Sequence, residues 1–213
     1  MNVKKISTPD PDLVRSLVDL HIAAFPDFFL SSLGEGFLSV LYSNYLSSPN
    51  CACLVAFDTD GQGKKPIGSA VAIGNPSLFY KELLKKQWLK FSIRAIPSLL
   101  KKPGLVARKL VSAIFYRGDA SSEFNTANAV LLSTISVSPE AQGQGVGKKL
   151  LENVESFANE SRFDFVYLMT DQDENSAVNS FYLNNGYRLE STVLKGGGRH
   201  MNRYMKQLGV QHV

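Results

Sequence analysis

Cysteine is almost absent from this 213-residue chain, with only Cys51 and Cys53. The two alternate on an apparent strand and point to one face, which rarely closes a disulfide. Two thiols alone also make a poor metal site. The expectation is a pair of buried, reduced thiols in a cytoplasmic protein. Histidine is scarce too. His21, His200 and His212 are scattered without ligand spacing, so no metal is expected. No apolar run approaches the roughly 20 residues needed to span a bilayer. Met1–Pro11 is polar and lacks the charged-then-apolar order of a signal segment. What the chain does have is 44% hydrophobic residues, enough at this length for one ordinary core and one domain over 1–213.

The most informative segment is Val137-Ser-Pro-Glu-Ala-Gln-Gly-Gln-Gly-Val-Gly147. An apolar run, Ala129–Val137, precedes it and reads as a strand. The residues after it place Val146, Leu150, Leu151, Val154, Phe157 and Ala158 on one helical face. Gly143, Gly145 and Gly147 therefore fill a turn between a strand and a helix. Glycine lets backbone N–H groups approach a ligand, and a helix N-terminus carries about half a unit of positive charge. Such a turn is either a tight connection or a seat for phosphate. Two phosphate loops are excluded. There is no Gly-Lys-Ser/Thr ending, and glycines at every second position do not match Gly-x-Gly-x-x-Gly.

Elsewhere the periodicity predicts a first strand at Asn2–Ser7 and a helix opened by Asp10-Pro11 through Ala24. Phe25-Pro-Asp-Phe-Phe29 breaks that helix. A second helix is expected from Leu33 or Gly36 to Leu46. Strands at Cys51–Phe57 and Pro66–Ile73 join through a glycine-containing hairpin. Downstream come a strand at 127–137, a helix at 145–160, a strand at 163–170 and a helix at 175–185. Two strands, Tyr187–Leu194 and His200–Gln207, close the chain. Strand–helix–strand predicts a parallel pair and the hairpins predict antiparallel ones. The expected class is α/β: one mixed, mainly antiparallel twisted sheet with helices on both faces.

Gln142-x-x-Gly145-x-Gly147, preceded by Val137-x-Pro139, resembles the acyl-CoA pyrophosphate loop of the GNAT superfamily of N-acetyltransferases. Asn175-Ser-Ala-Val-Asn-Ser-Phe-Tyr-Leu-Asn-Asn-Gly-Tyr187 resembles that family's second CoA element. The close match covers about residues 127–207. The resemblance implies acetyl-CoA as cosubstrate, held by Gln142, Gly143, Gln144, Gly145, Val146 and Gly147 at its pyrophosphate. It implies that Ile135–Val137 run beside the pantetheine arm, with the Val137 amide facing the thioester oxygen and Asn175 touching the arm. Tyr182 matches the tyrosine that protonates the departing thiolate. A phenol near pKa 10 suits that role.

The strand before the loop carries no carboxylate where many relatives have a base. Ser133, Thr134 and Ser136 are candidates to hold a relaying water; Asp27 and His21 are alternatives. Phe25, Phe28 and Phe29 either line an apolar acceptor pocket or pack in the core. The implied reaction is acetylation of a small amine, an amino sugar or a nucleotide-linked one among the options. Acetylation of protein lysines or N-termini and a non-catalytic CoA-binding module are the alternatives.

Residues 77–126 depart from a minimal domain of this kind as an insertion between the third and fourth strands. Helical patterns run over Phe79–Leu100 and Leu105–Tyr116, parted by Pro103-Gly104. Lys81–Arg117 holds ten basic residues against the single Glu82, a net +9 in a chain of +4. Three readings stand. One is a hairpin with a solvated basic face and an apolar face packed on the sheet or on a second subunit. Another is a lid that attracts an anionic substrate. The third is a basic amphipathic hairpin over 77–117 on an anionic membrane at the inner face, with Trp88, Phe91 and Phe115 at the interface. Nucleic acid is not expected, because no binding motif accompanies the charge.

Overall fold

The computed structural model describes residues 1–58, 65–101, 128–195 and 198–209. The helix expected at Leu105–Tyr116 and the turns at 59–64 and 196–197 lie outside these residues. The strands are β1 (Asn2–Ile6), β2 (Cys51–Phe57), β3 (Pro66–Ile73), β4 (Ala129–Val137), β5 (Phe165–Asp171), β6 (Arg188–Lys195) and β7 (Arg199–Gln207). The helices are α1 (Pro11–Ala24), α2 (Phe29–Ser32), α3 (Glu35–Ser47), α4 (Pro76–Lys101), α5 (Val146–Glu160) and α6 (Ser176–Asn184). The seven strands form one sheet in the order β1-β2-β3-β4-β5-β7-β6. All neighbours are antiparallel except β4 and β5.

Within the described residues the expected elements are present, with ends displaced by a few residues. α1 starts where Asp10 accepts the Leu13 amide at 2.9 Å and Pro11 occupies the first turn. Its apolar stripe and that of α3 bury Leu17, Val18, Leu38 and Leu46 on one face of the sheet, together with Cys51 and Cys53. Both thiols are free. Burial pushes the Cys51 thiol up to about 11 and Cys53 to about 12. On the opposite face, Val146, Leu150, Leu151 and Val154 of α5 cover Val130, Leu132 and Val166. Helices packed on both faces explain why β2 reads as an unbroken apolar run and β3 as one interrupted only at Gly68-Ser69.

Two irregularities shape the middle of the sheet. Val71 pairs with Thr134 and Ala72 with Leu132, which leaves Ser133 as an extra residue on β4. Such a bulge puts two successive side chains on the same face and bends the strand. β4 and β5 then pair over three residues only, Ala129–Leu131 with Phe165–Tyr167. From Leu132 onward β4 pairs with β3 alone, and from Leu168 onward β5 pairs with β7 alone. The sheet is split along this line, beginning beside the bulge.

Candidate active site

The split leaves one edge of β4 without a strand partner. The Ser138 amide donates to the Ile67 carbonyl at 2.9 Å, so it faces β3. Successive strand amides alternate in direction, so the Ser136 amide faces β3 and those of Val137 and Ile135 face the opening. At the end of that edge the chain makes a 3₁₀ turn, Pro139–Ala141, and passes through the glycine loop into α5. Gly143 and Gly145 have φ of +76° and +79°, a left-handed conformation that costs other residues strain. A Cβ built at either glycine meets no other atom within 4 Å. The loop is open on that side.

The electrostatics at the start of α5 run against what a free helix would select. Gly145 occupies the N-cap without a side-chain cap, and the first turn holds no acid. Lys148 and Lys149 lie within that turn, where cations oppose the helix dipole. Six successive amides, Gly143 to Lys148, have no acceptor among the described residues. These choices weaken the helix terminus and suit an anion seated on it. Gln142 and Gln144 are exposed, and Gln144 Nε2 donates to the Glu140 carbonyl at 2.9 Å.

α6 completes the arrangement. A Cβ at Gly147 would lie 3.4 Å from Phe181 Cζ and 3.8 Å from a Val137 methyl, so loop, β4 and α6 converge there. Tyr182, the next residue, is 5% exposed, and its ring stacks near Tyr204 at 5.9 Å between centres. Its hydroxyl has no hydrogen-bond partner among the described residues. Burial raises its pKa, so it stays a phenol throughout the physiological range. Asn175 stands at the N-cap of α6 without capping it. Its Nδ2 donates back to Thr170 Oγ1 at 2.8 Å and the Asp171 carbonyl at 3.1 Å. Asn179, which sequence reading passed over, ties α6 to β7: its Oδ1 accepts from Tyr204 Oη at 2.8 Å and Asn202 Nδ2 at 3.0 Å.

The opposite mouth of the split is built from distant segments. Phe25 and Phe28 contact each other at 5.1 Å. Phe28 is 46% exposed, and the Arg199 guanidinium lies 5.8 Å from its ring centre. Arg199 also forms a bidentate pair with Asp171 at the end of β5, one arm at 2.6 Å. Phe29 opens α2, and Asp27 is exposed. None of Asp171, Arg199 and Asn179 could be singled out from local sequence, since each acts through a cross-strand or helix–strand contact. Ser133 Oγ bonds Tyr80 Oη at 2.9 Å and Tyr45 Oη at 3.2 Å, so the inserted helix α4 reaches the bulge itself.

His21 does not line the mouth as an open base. It is 4% exposed, with Nδ1 3.0 Å from Tyr42 Oη. Desolvation pushes its pKa down to about 4. Ser136, also buried, shares a 2.9 Å hydrogen bond with Ser69. Among the described residues no His, Cys, Asp and Glu group could hold a metal ion.

Residues 105–189 match the family model for the acetyltransferase (GNAT) domain. That match spans 85 of the 213 residues, and over it the chain is similar to GNAT acetyltransferases. Solved structures agree on the fold. A GNAT-family acetyltransferase from Desulfovibrio desulfuricans is 13% identical with a TM-score of 0.60, covering 97% of this chain and 98% of that one. An aminoglycoside 6'-N-acetyltransferase complexed with coenzyme A is 13% identical with a TM-score of 0.60, covering 97% of each chain. A spermidine N-acetyltransferase chimera derived in part from Vibrio cholerae is 14% identical with a TM-score of 0.57, covering 97% and 96%. No curated protein matches the chain by sequence.

Proposed function

We propose that this chain, acting as one domain over 1–213, transfers the acetyl group of acetyl-CoA to the amine of a small molecule, with Tyr182 as general acid. The observation that carries the reading is a coincidence at one end of β4. Six amides and a strand edge without partners among the described residues lie there, and α6, which carries the buried phenol of Tyr182, packs against them through Phe181. The loop from Gln142 to Gly147 holds the pyrophosphate through backbone amides fixed in advance by the turn. The pantetheine arm lies along the free edge at Ile135–Val137, and the Val137 amide donates to the thioester oxygen. Asn175 has committed its Nδ2 to β5, which leaves Oδ1 to accept from the arm.

In the transfer, the amine nitrogen forms a bond to the carbonyl carbon and the carbon–sulfur bond breaks. The electron pair leaves on sulfur, and the Tyr182 hydroxyl supplies its proton. The amine's own proton departs through water held near Ser133, Thr134 and Ser136, since β4 carries no carboxylate. All three hydroxyls are already engaged by protein partners, so backbone carbonyls at the bulge share that role.

The acceptor enters at the mouth bounded by Phe25, Phe28, Asp171 and Arg199. An exposed aromatic ring beside a guanidinium–carboxylate pair suits a compact polar ring such as an amino sugar, free or nucleotide-linked. Thiol release from acetyl-CoA across a panel of amino sugars, nucleotide-linked amino sugars, polyamines and peptides tests this. Amine-dependent release with an amino sugar supports the reading. Preference for one peptide motif favours protein acetylation. CoA binding with no release above background favours a module without turnover.

A further inference from the structure

We infer that the outward face of α4 docks on an anionic membrane surface, a reading that stands independently of which amine is acetylated. α4 turns Phe79, Leu83, Phe91 and Ala95 inward. Phe91 packs on Phe37 of α3 with ring centres 4.5 Å apart, so it is core and not an interfacial residue as the periodicity alone suggested. On the other side Leu84, Trp88, Leu89, Ile93, Ile96 and Leu100 are 49–79% exposed. Large apolar side chains scattered singly over a surface need no explanation, but six on the exposed half of one helix do, Leu84 and Trp88 along one line and Leu89, Ile93, Ile96 and Leu100 along another with Lys81 and Lys85 between.

The charge around this strip identifies its partner. Lys81, Lys85, Lys86 and Lys90 are all exposed on the same helix. The helix carries six basic residues against Glu82, a net +5 where the whole chain is +4. Glu82 itself is paired with Lys86 at 2.9 Å. A second copy brought face to face by a twofold axis would set two such helices against each other, cation to cation. Anionic headgroups meet the lysine rim while the apolar strip enters the acyl boundary. Trp88, 61% exposed on this half of the helix, is the residue type that settles at that depth. Among the described residues no helix is long and apolar enough to cross a membrane, so the contact lies in the plane of the surface. Through Tyr80 and Ser133 the docked helix is joined directly to the bulge of β4.

Trp88 is the only tryptophan in the chain, so its emission reports this face alone. The full chain is mixed with vesicles of phosphatidylcholine, or of phosphatidylcholine with phosphatidylglycerol at about 7:3, then floated and its emission recorded. The expected result is flotation with the anionic vesicles only, a blue shift of Trp88, and release by added salt. Each lysine near the surface is worth roughly fivefold in partitioning, so Lys81→Glu with Lys85→Glu lowers it on the order of 25-fold or more. Leu89→Glu abolishes it. Acetyl-CoA binding by calorimetry stays unchanged in both variants, which shows that they fold. Protein left at the bottom with anionic vesicles overturns the proposal, as does equal flotation with neutral ones. A lipid-free blue shift that grows with protein concentration, together with a dimer in sedimentation, also overturns it and assigns the face to a second copy.

Discussion

Replacing Tyr182 by Phe separates a catalytic hydroxyl from a structural one, because the structure gives it a control in the stacked neighbour Tyr204. The Tyr182 hydroxyl bonds to nothing among the described residues, so its removal leaves folding stability within about 0.5 kcal/mol. The Tyr204 hydroxyl donates to Asn179 Oδ1 at 2.8 Å, and Tyr204→Phe costs about 1 kcal/mol for that lost bond. Activity is expected to move the other way. Without its acid, Tyr182→Phe loses about 10²- to 10⁴-fold in kcat while its acetyl-CoA affinity holds. Tyr204→Phe keeps kcat within a few-fold. Urea midpoints, calorimetric titration with acetyl-CoA and thiol-release kinetics give the three readouts. If Tyr182→Phe turns over at the parent rate, or if it unfolds more readily than Tyr204→Phe, the assignment of the hydroxyl is wrong.

Three further outcomes follow from particular contacts. His21 is buried neutral with a pKa of about 4, below its unfolded value of about 6.5, so the unfolded state binds the proton more tightly between those pH values. Its contribution is complete above pH 6.5 and falls as pH drops towards 4, by about 2 kcal/mol on reaching pH 5, and His21→Gln flattens this slope in urea titrations. Gly145→Ala forces a methyl-bearing residue to φ +79° and lowers stability by about 1 kcal/mol, and its added Cβ faces the open side of the loop. Acetyl-CoA affinity therefore falls by more than tenfold in calorimetry, although no protein atom is displaced. Gly68→Ala places its Cβ 2.8 Å from a Val146 methyl and 3.2 Å from the Ser136 carbonyl. It costs about 1–3 kcal/mol in urea midpoint terms, and by shifting the first turn of α5 it weakens acetyl-CoA binding too.

Much of this fold was legible because its signals are local. Asp10-Pro11 opens α1 where capping chemistry requires, and the alternation from apolar run to helical stripe around Gly143–Gly147 located β4, the loop and α5. The parallel β4–β5 pair followed from connectivity. What stayed hidden depends on register and distance. The bulge at Ser133 is invisible in Ser-Thr-Ile-Ser, since only its pairing with Val71 and Ala72 reveals the extra residue. The early parting of β4 and β5 is likewise a property of two strands together. Asp171 and Arg199 meet across 28 positions, and Asn175 turns its amide back to β5, a contact its local sequence does not announce. Phe91 shared a helical pattern with Trp88, yet one is packed on Phe37 and the other faces outward, because a helix this long presents apolar residues on two sides.

Amide hydrogen exchange with and without acetyl-CoA tests the central claim most directly, since the site is defined by backbone amides that lack acceptors. Acetyl-CoA is expected to slow exchange at Gly143–Lys148 and at Ile135 and Val137, while Ser136, already facing β3, changes little. Protection spread evenly over the chain, or confined to segments away from the end of β4, would contradict it.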